Sequence, residues 1–372
     1  MDLTAIDQSP QDQAELAAAE WAEELARIIR EGKDYAKARA ALEDALKASE
    51  KLAELTLESF NPYRFDPGNQ PPANVPTLYL DGVPVCNRGN ISSLVSHKKM
   101  GKSRTARAIL RAICSGGEHL GFTAPAGRVA YLDFEQSRAD FHHLMQGVEE
   151  REEGRLLAYS MAGATIAEGR ALVDLLAPQD DLRAILLDGW ADLVADVNDP
   201  EESNEFVRWA MSLAAKHDIS ILGLLHLNPG SETKSRGHLG SQLERKAETQ
   251  LEMHADGEER IICAPVARHR PIFKDNGVRI AWSDEAGDFV RIEGTPADAK
   301  QSAKVEEWTR ILQDVEASTG MKAWKYGDLW GAIAKTEGVK ERTAKSRIQH
   351  WIDADLLTHS ATTGNYTSTL KD

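Results

Sequence analysis

Residues 94–110 read LVSHKKMGKSRTARAIL and change character twice. The apolar run Ile91 to Val95 leads into a short polar loop, and after Gly101-Lys102-Ser103 the apolar residues Ala106, Ile109 and Leu110 recur at helical spacing. The order is strand, loop, helix. A loop at that junction lets successive backbone N–H groups converge on a phosphate, with the positive end of the helix behind them. Lys102 would reach the β and γ phosphates of a nucleotide, and the Ser103 hydroxyl would hold Mg²⁺. The nucleotide-binding set is then Ser96, His97, Lys98, Lys99, Met100, Gly101, Lys102, Ser103 and Arg104. The pattern G-x-x-x-x-G-K-[ST] is met except at its first position, where Ser96 replaces the glycine that normally permits the tight turn.

A chain of 372 residues has room for two or three domains, one of them large enough for a full α/β core. Its 42% hydrophobic content is ordinary, and no apolar run approaches the length of about 18 residues that a membrane span requires. The first residues, MDLTAIDQSPQDQAE, are acidic and polar, unlike a signal peptide, so a cytoplasmic protein without membrane contact is expected. Cys86, Cys114 and Cys263 form no C-x-x-C pair and read as reduced packing residues. A net charge of -15 argues against a chain coated in basic surface for duplex DNA. From Lys300 to Asp372 there are 11 Lys plus Arg against 10 Asp plus Glu, so the acidic excess lies upstream.

Residues 1–60 read as a helical hairpin, with Leu16, Ala19, Trp21, Leu25 and Ile28 on one stripe and Leu42, Leu46, Leu52, Leu55 and Leu57 on the next, broken at Glu31-Gly32-Lys33. Such a pair serves either as an oligomerisation collar or as packing on its own core. Residues 61–76, with five prolines, mark a linker. From 77 to 295, a hairpin around Asp81-Gly82 precedes the phosphate-loop strand. Apolar strands at Arg128–Asp133, Leu156–Met161, Ala184–Asp188 and Ile219–His226 then alternate with helices at Arg138–Glu152, Glu168–Leu176 and Asn204–His217. That alternation predicts an α/β fold, a mainly parallel sheet with helices on both faces. Ligands of such sheets bind beyond the carboxyl ends of the strands. Three strand ends there carry suitable groups: Asp188 for Mg²⁺, Glu135 to polarise an attacking water, and His226 to sense a γ-phosphate.

These residues, in this order, resemble the RecA-like ATPases, and within them the hexameric replicative helicases of the plasmid RepA and DnaB type. The resemblance runs from about residue 75 to 292 through SHKKMGKS, YLDFEQS, ILLDGWADL, LLHLNPGSETKSRGHLGSQLE and ICAPVARHRP. It implies ATP hydrolysis with Mg²⁺ at subunit interfaces of a homo-oligomeric ring, a hexamer, with single-stranded DNA in the channel. Glu135 falls at the position of the catalytic glutamate and Asp188 at the Walker B aspartate, with His226 as sensor. Lys234, Arg236, Gly237 and Ser241 fall in the DNA-contacting loop of residues 229–240, whose glycines Gly230, Gly237 and Gly240 would permit movement. Arg268 and Arg270 fall on the basic pair of a late strand that reaches the neighbouring subunit's γ-phosphate. Trp190, after Asp188-Gly189, is bulkier than that position leads one to expect.

Residues 303–372 read as a helix at Val305–Glu316, a second at Leu329–Lys335, a third at Glu341–Asp355 and a hairpin at Thr358–Leu370. This is the order of a winged helix-turn-helix, with Lys340, Arg342, Lys345 and Arg347 clustered near the start of the third helix. In that fold the third helix enters the major groove, so duplex DNA or a protein is the expected partner. The combined expectation is an ATP-driven DNA-translocating ring, a replicative or mobile-element helicase. Two alternatives stand beside it: a RecA-like loader or remodelling ATPase without unwinding, and a nucleotide-gated DNA-binding regulator.

Overall fold

The protein is described by a computed structural model for residues 56–68, 73–149, 154–228, 230–231 and 234–370. The chain divides into two units, Met1–Ala73 and Asn74–Asp372. The expected N-terminal helical hairpin lies outside the described residues but for its last few. There, Leu57–Tyr63 is a short 3-10 helix, so the helical turn runs into the start of the expected linker.

The second unit begins with a hairpin, β1 (Pro76–Leu80) and β2 (Val83–Asn87), turned by Asp81 and Gly82, both at positive φ. Two left-handed residues are what a two-residue hairpin turn demands. β3 (Ile91–Ser96) then feeds α1 (Lys102–Ser115), which stops at Gly116 in the left-handed conformation. Two very short strands, β4 (Glu118–His119) and β5 (Phe122–Thr123), return to β1 and complete a small sheet of order β2-β1-β5-β4. The alternating part follows: β6 (Arg128–Asp133), α2 (Arg138–Glu149), β7 (Leu156–Ser160), α3 (Ile166–Leu176), β8 (Leu182–Asp188), α4 (Pro200–His217), β9 (Ser220–His226) and α5 (Gly237–Lys246). β10 (Thr249–Asp256), β11 (Glu259–Ala267), β12 (Val278–Ser283) and β13 (Asp288–Ile292) close the large sheet.

That sheet runs β13-β12-β11-β10-β3-β9-β8-β6-β7. The strands from β10 to β7 are mutually parallel, and β11, β12 and β13 extend the sheet antiparallel. The fold is therefore α/β with a mostly parallel sheet, as expected, lengthened by an antiparallel flank that the strand-helix alternation did not announce. Side chains alternate between the faces as strand geometry requires. Leu94, Tyr131, Leu186 and Leu224 join Ile109, Ile113 and Met145 of α1 and α2 on one side. Val95, Leu132, Leu187 and Leu225 join Val173, Phe206 and Leu243 of α3, α4 and α5 on the other.

Several helices start earlier than apolar periodicity alone suggests, because the caps are polar. Asp199 accepts from the amides of Glu201 and Glu202 ahead of Pro200, so α4 begins four residues before Asn204. Thr295 and Asp298 form a capping box around Pro296, and α6 (Pro296–Thr319) starts well before the expected Val305. A continuous helix thus spans residues 296–302, between the two expected domains. Beyond it come β14 (Ala323–Lys325), α7 (Tyr326–Glu337), α8 (Glu341–Asp353), β15 (Leu357–His359) and β16 (Asn365–Ser368), with sheet order β14-β16-β15. Leu312, Val315, Trp324, Leu329, Ile348 and Trp351 give this part its own core. Among the described residues, no helix is long and apolar enough to cross a membrane.

Candidate nucleotide site

The phosphate-loop segment leaves β3 at Ser96 and turns at Lys99 (φ 61°) and Gly101 (φ 97°) before α1 begins. Ser96 is fully buried and still paired within the sheet, opposite His226 of β9. Its backbone is not left-handed, so a Cβ is tolerated where the motif usually has glycine. Its hydroxyl donates to the His97 carbonyl at 2.9 Å. Gly101 has no such freedom: besides its positive φ, an added Cβ would strike the ring of Phe289. His97, Lys98 and Lys99 are exposed, while Met100 packs partly on the core.

Strand register brings the polar ends together. Asp133 pairs with Asp188 across β6 and β8, and Ser96 pairs with His226 across β3 and β9. A cleft at these carboxyl ends is lined by Lys102, Glu135, Asp188, Asp192, His226 and Arg236, among others. Lys102 is buried, and its Nζ lies 2.8 Å from His226 Nδ1. Because the ammonium can only donate, Nδ1 is the unprotonated nitrogen and Nε2 carries the proton. That Nε2 stands 3.6 Å from Glu135 Oε1. Burial draws the Lys102 ammonium below its ordinary value, with Asp188 and Glu135 pulling the other way. His226 holds the Glu135 carboxyl below its usual range, although partial burial opposes this.

Asp188 is the least comfortable group. Burial pushes its carboxyl from the ordinary 3.8 to about 6; hydrogen bonds from Ser103 and Tyr131 oppose the rise, and nearby Asp133 adds to it. The Tyr131 hydroxyl donates to Asp188 at 2.9 Å. Asp133 is better satisfied, since its Oδ1 accepts the amides of Glu135 (3.0 Å) and Gln136 (2.8 Å) and fixes the turn that presents Glu135. Ser103 and Asp188 together form an all-oxygen donor pair with an uncompensated buried carboxylate, which suits a hard divalent cation. The Asp188–Gly189 peptide is cis.

Trp190 does not crowd this cleft. It is fully buried, edge-on to Phe206 at 5.5 Å, and occupies the space that the missing side chain of Gly223 leaves open. Two cleft residues carry no local sequence signal for it: Asp192, whose carboxyl is raised by burial first and by Glu135 next, and Arg236. The region expected as a mobile loop over 229–240 is shorter. Gly237 starts α5, Gly240 is buried within it, and a bridge between Leu227 and Ser235 ties the base, leaving Gly230 as the one loop glycine among the described residues. Lys234 is exposed at this loop, and Arg236 caps α5 at the cleft rather than projecting away from it. Ser241 bonds back to the Gly237 carbonyl inside α5.

Arg104 turns to Asp288 at 3.2 Å and lies over the exposed ring of Trp282, so the hairpin β12–β13 is fastened beside the loop. Arg268 and Arg270, expected on a strand, lie instead in a bend just after β11. Ala267 pairs with Thr249 and Thr249 with Ser92, which puts both arginines at the amino end of the sheet, away from the chain's own cleft. Between them His269 is held inward, 3.2 Å from the buried Glu248, and both arginines are exposed. In the C-terminal part, Arg347 pairs with Glu337 at 2.8 Å and Lys345 with Glu341 at 2.5 Å. Lys340 and Arg342 remain exposed. The expected cluster of four is thus half committed within the fold.

Residues 54–232 match the family described as AAA domain. The matched stretch takes in the phosphate loop, Glu135, Asp188 and His226, and supports a P-loop ATPase domain. No curated protein matches the chain. Among solved structures, the ATPase domain of a helicase is similar at 14% identity and a TM-score of 0.41, covering 55% of this chain and 86% of that one.

Proposed function

We propose that the protein is an ATP-hydrolysing ring motor acting on DNA, of the helicase type. The observation that carries the reading is the convergence of Lys102, Ser103, Glu135, Asp188 and His226 at the carboxyl ends of adjacent, in-register strands. Lys102 would grip the β and γ phosphates with the amides of residues 97–103, and Ser103 and Asp188 would hold Mg²⁺. Bound Mg²⁺ would neutralise charge on the phosphates. Glu135 would orient the attacking water and take its proton, for which its depressed pKa keeps it ionised. His226, already bridging Lys102 and Glu135, would report the γ-phosphate to both.

Arg268 and Arg270 are exposed at the end of the sheet opposite their own cleft, which supports a role only toward a neighbouring copy, where they would stabilise developing phosphoryl charge. A closed hexamer would supply that neighbour, with Lys234 toward single-stranded DNA in the channel. The C-terminal part, with its helices, sheet order β14-β16-β15 and exposed Lys340 and Arg342, is read as a winged helix-turn-helix that meets duplex DNA or a protein. The alternatives are a remodelling ATPase without unwinding and a nucleotide-gated regulator.

Steady-state ATP hydrolysis with and without single-stranded DNA, with mass measured in nucleotide, tests the reading. Strand-stimulated turnover lost in Lys102→Ala, together with a nucleotide-dependent ring, is the expected outcome. Nucleotide binding without turnover, with tight duplex binding, would replace the motor by the regulator.

A further inference from the structure

Four arginines from separate turns meet at the amino end of the parallel sheet. Arg88 precedes β3, Arg128 opens β6, Arg155 precedes β7 and Arg183 lies at the start of β8; with Asp181 they line a cavity of about 490 Å³. The count is four positive groups against one negative in a chain whose overall charge is -15. The register sets this cavity apart from the nucleotide cleft. Arg128 pairs with Leu182 at one end of β6 and β8, and Asp133 pairs with Asp188 at the other.

Two of the four guanidiniums are committed to the protein. Arg88 donates to the Asp218 carbonyl at 2.7 Å and pairs with its carboxylate at 3.0 Å, while Arg155 donates to the Cys114 carbonyl at 2.7 Å. Arg128 and Arg183 form no ion pair among the described residues, and the buried Nε–H of Arg128 has no acceptor. Folding alone gives no reason to gather like charges and leave one partly buried and unmatched, because such a group costs free energy until an anion balances it. Guanidinium forks match phosphate oxygens in geometry as well as in charge. The remaining lining, Ala126, Gly127, Gly154 and Leu182, offers no aromatic face on which a base could stack, so the complement is phosphate rather than nucleobase. The volume suits a small ligand or a short run of backbone.

We propose that this cavity is a phosphate-binding site, separate from the nucleotide cleft, for the phosphates of a nucleic-acid strand or of a free polyphosphate. The site stands on residues that the ATPase reading does not use, and its test is made in full-length Lys102→Ala protein, so that the two readings fail separately. Tripolyphosphate binding is measured by calorimetry and fluorescein-labelled oligothymidylate binding by anisotropy, across a salt series. Arg128→Ala/Arg183→Ala is expected to weaken binding at least tenfold at low salt, and Arg128→Lys/Arg183→Lys to recover part of it. For the oligonucleotide, the salt slope should fall by about 1.4, two contacts at roughly 0.7 each on a single strand.

Loss with tripolyphosphate alone assigns the site to a free polyphosphate. Loss with the oligonucleotide, with or without tripolyphosphate, assigns it to a strand. If the alanine pair fails to fold by circular dichroism, Arg183→Glu alone carries the same comparison. Unchanged binding of both probes in a folded variant, or binding of neither probe to the Lys102→Ala protein, overturns the proposal.

Discussion

At the carboxyl ends of β6 and β8 the buried charges are acidic, whereas at the amino ends of the same two strands they are arginines. Asp133 and Asp188 are both nearly inaccessible, and only Asp133 is satisfied by backbone amides. Asp188 has the neutral donors Tyr131 and Ser103 and a carboxyl raised to about 6. At the other end of each strand, Arg128 and Arg183 lack a carboxylate partner among the described residues. Stable folds rarely leave charge unbalanced in this way, and where they do the missing counter-ion is a ligand. The two ends therefore make opposite demands: the first asks for a cation with its nucleotide, the second for phosphate. The difference also separates chemistry from attachment, since only the carboxyl end carries a base, Glu135, poised beside the cleft.

Removing that base gives the largest expected change. Glu135→Gln should lower ATP turnover by roughly 10²- to 10⁴-fold, the usual worth of a general base, with nucleotide affinity retained. Turnover within about threefold of the parent, far short of that range, would mean that Glu135 only hydrogen-bonds His226, and the contrast between a reactive and a merely binding end would collapse.

The next test concerns stability. In the pH window from about 4 to 6, the unfolded chain has released the Asp188 proton while the folded chain keeps it. Stability from this group therefore falls as pH rises through that window and stays at its lower level above it. The rise from 3.8 to about 6 corresponds to at most ~3 kcal/mol at about 1.36 kcal/mol per pH unit. Asp188→Asn should remove that cost without Mg²⁺ at about pH 7.5, raising the melting temperature by several degrees while abolishing hydrolysis. Added Mg²⁺ with nucleotide should stabilise the parent and leave the variant unmoved. A variant less stable than the parent at that pH would show that the carboxylate is already compensated by Lys102.

How far these sites could be read from sequence depends on how local their signals are. GKS after an apolar strand, and acids closing Tyr131-Leu132-Asp133 and Ile185-Leu186-Leu187-Asp188, are contiguous patterns, and parallel strands place such ends together almost automatically. Ser96 and Trp190 are harder, because each depends on partners far away in the chain: the pairing with His226, and the space above Gly223. The flank β10–β13 gives no strand-helix alternation, so the packing of Phe289 on Gly101 has no local signature. Arg236 reads as part of a loop, although its position as the cap of α5 turns it into the cleft. Arg347 looks like a free cation until α7 brings Glu337 beside it. The amino-end arginines are invisible for the same reason: Arg88, Arg128, Arg155 and Arg183 stand in four separate turns and become neighbours only through strand order.

The smallest expected effect sharpens the contrast most. Arg128→Gln removes a charge with no partner among the described residues and a buried Nε–H with no acceptor. Its stem packs at the start of β6, and glutamine retains part of it while its amide can turn to find acceptors. The expected gain is about 1 kcal/mol, the low end of the cost of a buried unsatisfied donor, or roughly 2–4 °C in melting temperature. Part of the destabilisation arises from repulsion among the arginines around an open cavity, so salt should screen it and the gain should shrink as ionic strength rises. The gain from Asp188→Asn should persist, because Asp188 is buried and its penalty is desolvation, which salt does not relieve. Melting curves of the two variants against salt therefore distinguish a charge held in the interior from charges held around a cavity. If Arg128→Gln destabilises at every ionic strength, Arg128 is a structural group of β6, and the amino end loses its claim to be a counterpart of the nucleotide cleft.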